Sequence, residues 1–235
     1  ENPLASKYVV LDCVSWFAEA KHLKMFVNSA NKIWNYNPKL SILEKSHDIV
    51  FFDRDFERFC PKIFQHTAHR LITLFCAYAF ENDLLVKLHP YESMNYYFDD
   101  MGFDAISDKM PNELIYANML LENQIQNKDC IYLMYNSAAA INRYALFGNK
   151  NFSIICLGDL LNRYGVGVEN TLVSFVHTKK ILSSLQQSTG IPVYFPENLA
   201  DVFTLARQKG NSFSIKHESH YVNKDSWNCA EKAWE

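Results

Sequence analysis

Residues 130–157 read CIYLMYNSAAAINRYALFGNKNFSIICL. Cys130 to Tyr135 is a short apolar and aromatic run, the composition of a strand covered on both faces. Ser137 to Phe147 reads as a helix. Gly148 closes it, because glycine takes the left-handed backbone that helix C-termini favour. Phe152 to Leu157 is a second strand. A strand, a helix and a strand in about thirty residues form a crossover unit, which pairs its two strands in parallel.

The same alternation extends in both directions. Upstream, Asp48 to Asp53 (DIVFFD) reads as a strand, and Glu57 to Phe80 as a helix with Phe59, Ile63, Leu71, Phe75 and Tyr78 at helical spacing. Leu84 to Leu88 is a strand stopped by Pro90, since proline cannot donate to a ladder. Phe103 to Ser107 is a short strand, and Pro111 to Leu121 a helix with proline in its first turn. Downstream, Thr171 to Gln187 is helical, Ile191 to Phe195 a strand and Glu197 to Lys209 a helix. Residues 48–209 therefore predict an α/β fold with a doubly wound, mostly parallel sheet. In such a sheet ligands bind beyond the carboxyl ends of the strands.

The flanks are different. Lys7 to Leu11 reads as a strand and Val14 to Asn31 as a helix, whereas Ile33 to Ser46, with Pro38 and asparagine-rich turns, reads as a linker. Residues 1–47 do not complete a fold alone, and are expected to be the end of an acceptor-side domain plus a connector. Residues 210–235 are polar and aperiodic, a C-terminal tail able to pack back through Trp227 and Trp234. The chain opens at Glu1-Asn2-Pro3 without methionine, so further sequence upstream is expected.

Composition narrows the classes. The chain is 49% hydrophobic and 21% charged, as soluble globular proteins are. Its net charge of -3 gives no electrostatic reason for nucleic acid as main partner. No run of 18 apolar residues is present to span a membrane, and the first residues do not form a signal peptide. Six cysteines (Cys13, Cys60, Cys76, Cys130, Cys156, Cys229) stand singly, without zinc or redox spacing, and predict buried thiols in the cytoplasm. Only 7 glycines are present, and neither GxGxxG nor GxxxxGK[ST] occurs, so no glycine-rich loop cradles a phosphate.

Three segments fall where the winding rule wants a ligand. In Asp83 to Glu92, His89 follows the end of a strand, where its imidazole can donate to a phosphate oxygen while Pro90 stiffens the loop. At Tyr135-Asn136-Ser137-Ala138 a strand turns directly into a helix. The free N–H groups of that helix start, with the Ser137 hydroxyl and Asn136 amide, suit a phosphate. Met110-Pro111-Asn112-Glu113 is another helix start, where Glu113 could hold the two hydroxyls of a ribose. Each has an ordinary structural explanation beside it. His89 could bond to backbone, Ser137 could cap its helix, and Glu113 could complement the helix dipole. Lys87 would send its ammonium to solvent unless a phosphate lies near.

Lys87-Leu88-His89-Pro90, Pro111-Asn112-Glu113 and Asn136-Ser137 resemble, in order and approximate spacing, motifs of bacterial glycosyltransferases that use CMP-activated sugars. Sialyltransferases and the related capsule and lipopolysaccharide Kdo transferases are such enzymes. The resemblance implies the Rossmann-like nucleotide-binding half of a two-domain (GT-B) glycosyltransferase. It implies that Lys87, His89, Pro90, Pro111, Glu113, Asn136 and Ser137 hold the donor nucleotide, His89 on the CMP phosphate and Glu113 on the ribose. It further implies transfer of sialic acid, Kdo or a similar sugar to a surface-glycan acceptor, with no cofactor and no metal. The family carries paired serines where this chain has Asn136-Ser137.

The catalytic base in the resembled enzymes is an acidic pair followed by glycine. The match here is Tyr8 to Val14, in which Asp12 is acidic but Cys13 and Val14 replace the second acid and the glycine. Asp12 would deprotonate the acceptor hydroxyl, and His89 with the Ser137 helix start would take the charge developing on the phosphate. His66 and His69, near Asp53 and Asp55, read as helix-surface histidines, since no further metal ligand has the right spacing. Asp99-Asp100-Met101-Gly102 imitates the acidic motif out of order and reads as a loop. Asp159 reads as a helix N-cap. Two rivals stay open: a catalytically silent nucleotide- or glycan-binding module, favoured by Cys13-Val14, and a CDP-polyol phosphotransferase of the teichoic-acid type. The expected setting is the cytoplasm, with contact at the inner membrane and a homo-oligomer both left open.

Overall fold

Strand β1 (Ile49–Phe52) is apolar and buried throughout. Its side chains divide between two cores, Ile49 and Phe51 in one, Val50 and Phe52 in the other. That division follows from the two-residue period of a strand covered by helices on both faces. Strands β4 (Cys130–Met134) and β5 (Phe152–Cys156) divide in the same way, with Ile131, Leu133 and Ile155 on the first face and Tyr132, Met134, Phe152 and Ile154 on the second. These observations come from a computed structural model, which describes residues 12–53, 76, 80, 83–89, 104–106, 109–122, 129–163 and 169–209.

With β2 (Leu84–Lys87), β3 (Ala105–Ile106) and β6 (Val193–Tyr194), these strands form one six-stranded sheet in the order β3-β2-β1-β4-β5-β6. Every neighbouring pair is parallel. The fold is α/β, Rossmann-like and doubly wound. The chain moves outward from β1 to β3, then returns to place β4 on the other side of β1. The order reverses between β1 and β4, the switch point at which such sheets open a crevice.

Eight helices are seen among the described residues: α1 (Cys13–Ala18), α2 (Ala20–Trp34), α3 (Lys39–Ser46), α4 (Asn112–Leu121), α5 (Ala139–Phe147), α6 (Gly158–Arg163), α7 (Glu169–Thr189) and α8 (Leu199–Lys209). Leu40 of α3, Leu114 and Ile115 of α4 and Ala140 of α5 cover the second face. Leu160 of α6, Val202 and Ala206 of α8, and the buried Cys76 and Phe80 cover the first. Gly148 ends α5 as its sequence predicts, at φ 66° with its N–H donating to the Tyr144 carbonyl at 2.8 Å.

The N-terminal flank departs from expectation. The helix read over 14–31 is two helices, parted at Glu19 by extended backbone (φ -80°, ψ 114°). The supposed linker 33–46 contains α3, which buries Leu40, Ser41 and Glu44. Pro38 had suggested a break, but it stands at the start of α3, where its missing N–H costs nothing. Both α2 and α3 lie against α4. Asn31 and Asn118 lock α2 to α4 by exchanging two amide hydrogen bonds, of 2.8 and 2.9 Å. The strand expected at 7–11, most of the helix at 57–80 and the tail from 210 lie outside the described residues.

Candidate functional site

Because all six strands are parallel, the segments that follow them emerge at one edge. The ladder runs slightly past the strands there. The Asp53 N–H donates to the Lys87 carbonyl at 3.0 Å, the Leu88 N–H to Ile106 at 3.1 Å and the Leu157 N–H to Met134 at 2.8 Å. His89 follows β2, the start of α4 with Pro111 and Glu113 follows β3, and Asn136 and Ser137 follow β4. The structure thus brings His89, Pro111, Glu113, Asn136 and Ser137 to the same carboxyl edge. Pro90 lies outside the described residues, as do His66, His69 and the segment 99–102.

The two helix starts are joined directly. Asn142 of α5 donates its amide to Glu113 of α4 at 2.6 Å. The helix after β4 begins at Ala139 rather than Ser137, and the Ser137 hydroxyl accepts from the Ala139 N–H at 3.2 Å. Ser137 therefore satisfies one of the amides at that helix start. Pro111 takes the position just before α4, with extended backbone and its carbonyl accepting from Leu114 at 3.0 Å.

Lys87 corrects an expectation. It is 6% exposed, not in solvent, and its ammonium donates to the Leu88 carbonyl at 3.3 Å. By strand alternation its side chain enters the face that holds Leu85, beneath α3 and α4. A buried cation needs opposite charge nearby, and the carboxyl of Glu44, 4% exposed on α3, lies within its field. Burial pushes the Glu44 carboxyl up to about 7, while Arg143 and then Lys87 pull it down and Glu113 raises it further. Arg143 of α5 is buried in the same layer. Its guanidinium lies 4.0 Å from the centre of the Tyr116 ring and donates to the Tyr132 hydroxyl. Burial holds the Tyr132 hydroxyl well above its ordinary range, so it stays protonated.

Asp12 is not part of this edge. It caps α1, accepting from the Ser15 N–H at 3.1 Å and from the Ser15 hydroxyl at 2.6 Å. These bonds, the hydroxyl first, hold its carboxyl below the usual range and make it a weaker base. Phe17 of α1 rests on Phe147 with ring centres 5.1 Å apart, and a Cβ on Gly148 would meet Val14 at 2.9 Å. Both contacts are at the far end of α5, so Val14 and Phe17 of α1 sit toward the amino edge. Asp159, expected as an N-cap, lies in the first turn of α6 and pairs with Lys179 at 2.6 Å.

Sequence reasoning weighed Asp53 only beside His66 and His69, and passed over Glu44, Asn142 and Arg143. Asp53 had a signal, since it ends an apolar strand, but only the strand order shows that this strand borders the switch point. The other three are helical residues whose partners come from distant elements. Among the described residues Cys13, Cys76 and Cys156 are free thiols, and burial raises Cys76 to about 12 and Cys156 to about 11. No group of three or more His, Cys, Asp or Glu is placed to hold a metal, and no helix is long and apolar enough to cross a membrane, both among the described residues. Compared with protein-family models, curated proteins and solved structures, the chain gives no match.

Proposed function

We propose that this chain is the nucleotide-binding half of a glycosyltransferase that takes its sugar from a CMP-activated donor. The observation that carries the reading is the shared edge: His89, Glu113 and Ser137, singled out by motif, follow β2, β3 and β4 of one parallel sheet. That edge includes the switch point, where nucleotides bind in doubly wound folds. In this reading His89 donates to the donor phosphate, the α5 start offers its remaining amides, and Glu113 meets the ribose. Lys87 supports the edge from within and does not touch the phosphate. The acceptor is a bacterial surface glycan and the sugar sialic acid, Kdo or a relative.

The position of Asp12 favours a second reading, a nucleotide-binding module without its own base, because Asp12 caps a helix toward the opposite edge. Calorimetric titration with CMP, CDP and UDP, followed by an assay of CMP-sugar hydrolysis, separates the readings. Preference for CMP with turnover supports the transferase. Preference for CMP without turnover supports the silent module, preference for CDP supports a polyol phosphotransferase, and no binding of any nucleotide rejects all three.

A further inference from the structure

Helices α2 and α3 bury Leu23, Val27 and Leu40 on the domain side and turn their other faces outward. Those outward faces are apolar as well as charged. Ile33 is 78% exposed, Ile42 63% and Met25 55%. At 100° per residue, Lys21, Met25 and Lys32 share one stripe of α2, with Lys24 and Ile33 on its two flanks. On α3, Ile42 lies between Lys39 and Lys45. All five lysines of this segment are exposed, whereas of its acids only Asp12 and Glu19 reach solvent, Glu44 being buried. The chain as a whole carries -3, so this is a basic face on an acidic protein.

We propose that the α2–α3 face docks on an anionic lipid surface, with Met25, Ile33 and Ile42 entering the headgroup boundary and the lysines meeting lipid phosphates. The charge pattern selects this occupant over a protein. Protein interfaces deplete lysine at their centres, whereas here lysines alternate with the apolar side chains. Lysine stems lie along apolar surface and keep their ammonium in the polar layer, which suits a bilayer interface. Helix α7 gives an internal comparison: it exposes Val176 and Ile181, but with its Lys179 engaged by Asp159 it sets one lysine, Lys180, beside them where α2 and α3 set five. The docking does not depend on the nucleotide reading.

The test is co-sedimentation of the full chain with vesicles of phosphatidylcholine alone or mixed with phosphatidylglycerol. Binding should require the anionic lipid and weaken as salt is raised, because exposed charges are screened. Two combined variants, Lys21→Glu with Lys24→Glu and Lys32→Glu, and Ile33→Asp with Ile42→Asp, should each lower partitioning by roughly tenfold or more. Val176→Asp with Lys180→Glu on α7 should leave it unchanged. Circular dichroism melts establish that each variant is folded, as is expected for exposed positions. Failure to bind phosphatidylglycerol vesicles, or equal loss in the α7 variant, overturns the proposal. So does a dimer in sedimentation velocity that Ile33→Asp with Ile42→Asp dissolves, since the occupant would then be a second copy.

Discussion

The Asn142 amide and the Glu113 carboxylate meet at 2.6 Å, joining the first turns of two helices whose partners lie 29 residues apart in sequence. This contact fixes the spacing between the start of α4 and the start of α5 at the carboxyl edge. Asn142→Ala should cost about 1 kcal/mol of stability, the net worth of one partly exposed hydrogen bond. It should also weaken CMP binding several-fold, because Glu113 is then free to turn away from the ribose. A urea melt beside a CMP titration reads both. A stability loss with unaltered CMP affinity would show that Glu113 serves only the helix pair.

Glu44 makes stability depend on pH. Its carboxyl is raised from an ordinary 4.5 to about 7, chiefly by burial, with Arg143, Lys87 and Glu113 facing it from α5, β2 and α4. A raised carboxyl keeps its proton in the folded state after the unfolded chain has lost it. Its contribution is therefore fully present below the unfolded value and fades as pH rises through the folded one. The difference in stability between wild type and Glu44→Gln should change by about 3 kcal/mol across that window, in favour of the variant at higher pH. Parallel stability curves for the two proteins would contradict the assignment.

Gly148 and Gly190 separate backbone strain from crowding. Both have positive φ, 66° and 77°, but an added Cβ would meet Val14 at 2.9 Å at the first and nothing within 4 Å at the second. Gly190→Ala should cost roughly 1–2 kcal/mol from the left-handed backbone alone. Gly148→Ala should cost more, and Val14→Ala should recover part of the excess in a double-mutant cycle. Equal costs at the two glycines would remove α1 from its place against the end of α5.

Much of the sheet was legible in the sequence because a strand buried on both faces must be nearly all apolar, and 49–52, 84–87, 130–134 and 152–156 are. The strand order was not legible. Parallel pairing is set by crossovers whose direction no local residue reports, and the place of Asp53 beside the switch point depends on that order. The flank 33–46 was misread because Pro38 and its asparagines look the same at a helix start as in a loop. At the site, Lys87 shows the limit of motif reading. Its strand position was correct, but the face it takes depends on α3 and α4, and α3 brings Glu44 near it. Asp12 matched one residue of an acidic motif, yet a single Asp before a helix is equally an N-cap, and here it caps.

The proposed donor site turns on His89, the residue after β2 at the edge shared with Glu113 and Ser137. His89→Ala should weaken CMP binding by roughly 1.5–3 kcal/mol, the loss typical of one hydrogen bond to a charged group. CMP-sugar turnover should fall by roughly 10²–10³ if the imidazole also stabilises charge on the departing phosphate. The thermal midpoint should hardly move, since His89 is half-buried at the end of a strand whose core residues remain in place. The most direct measurement is calorimetric titration of CMP into wild type and His89→Ala, with a thermal melt of each. Weaker binding at unchanged melting temperature is the expected result, and equal CMP affinity in the two proteins would contradict a donor phosphate held by His89.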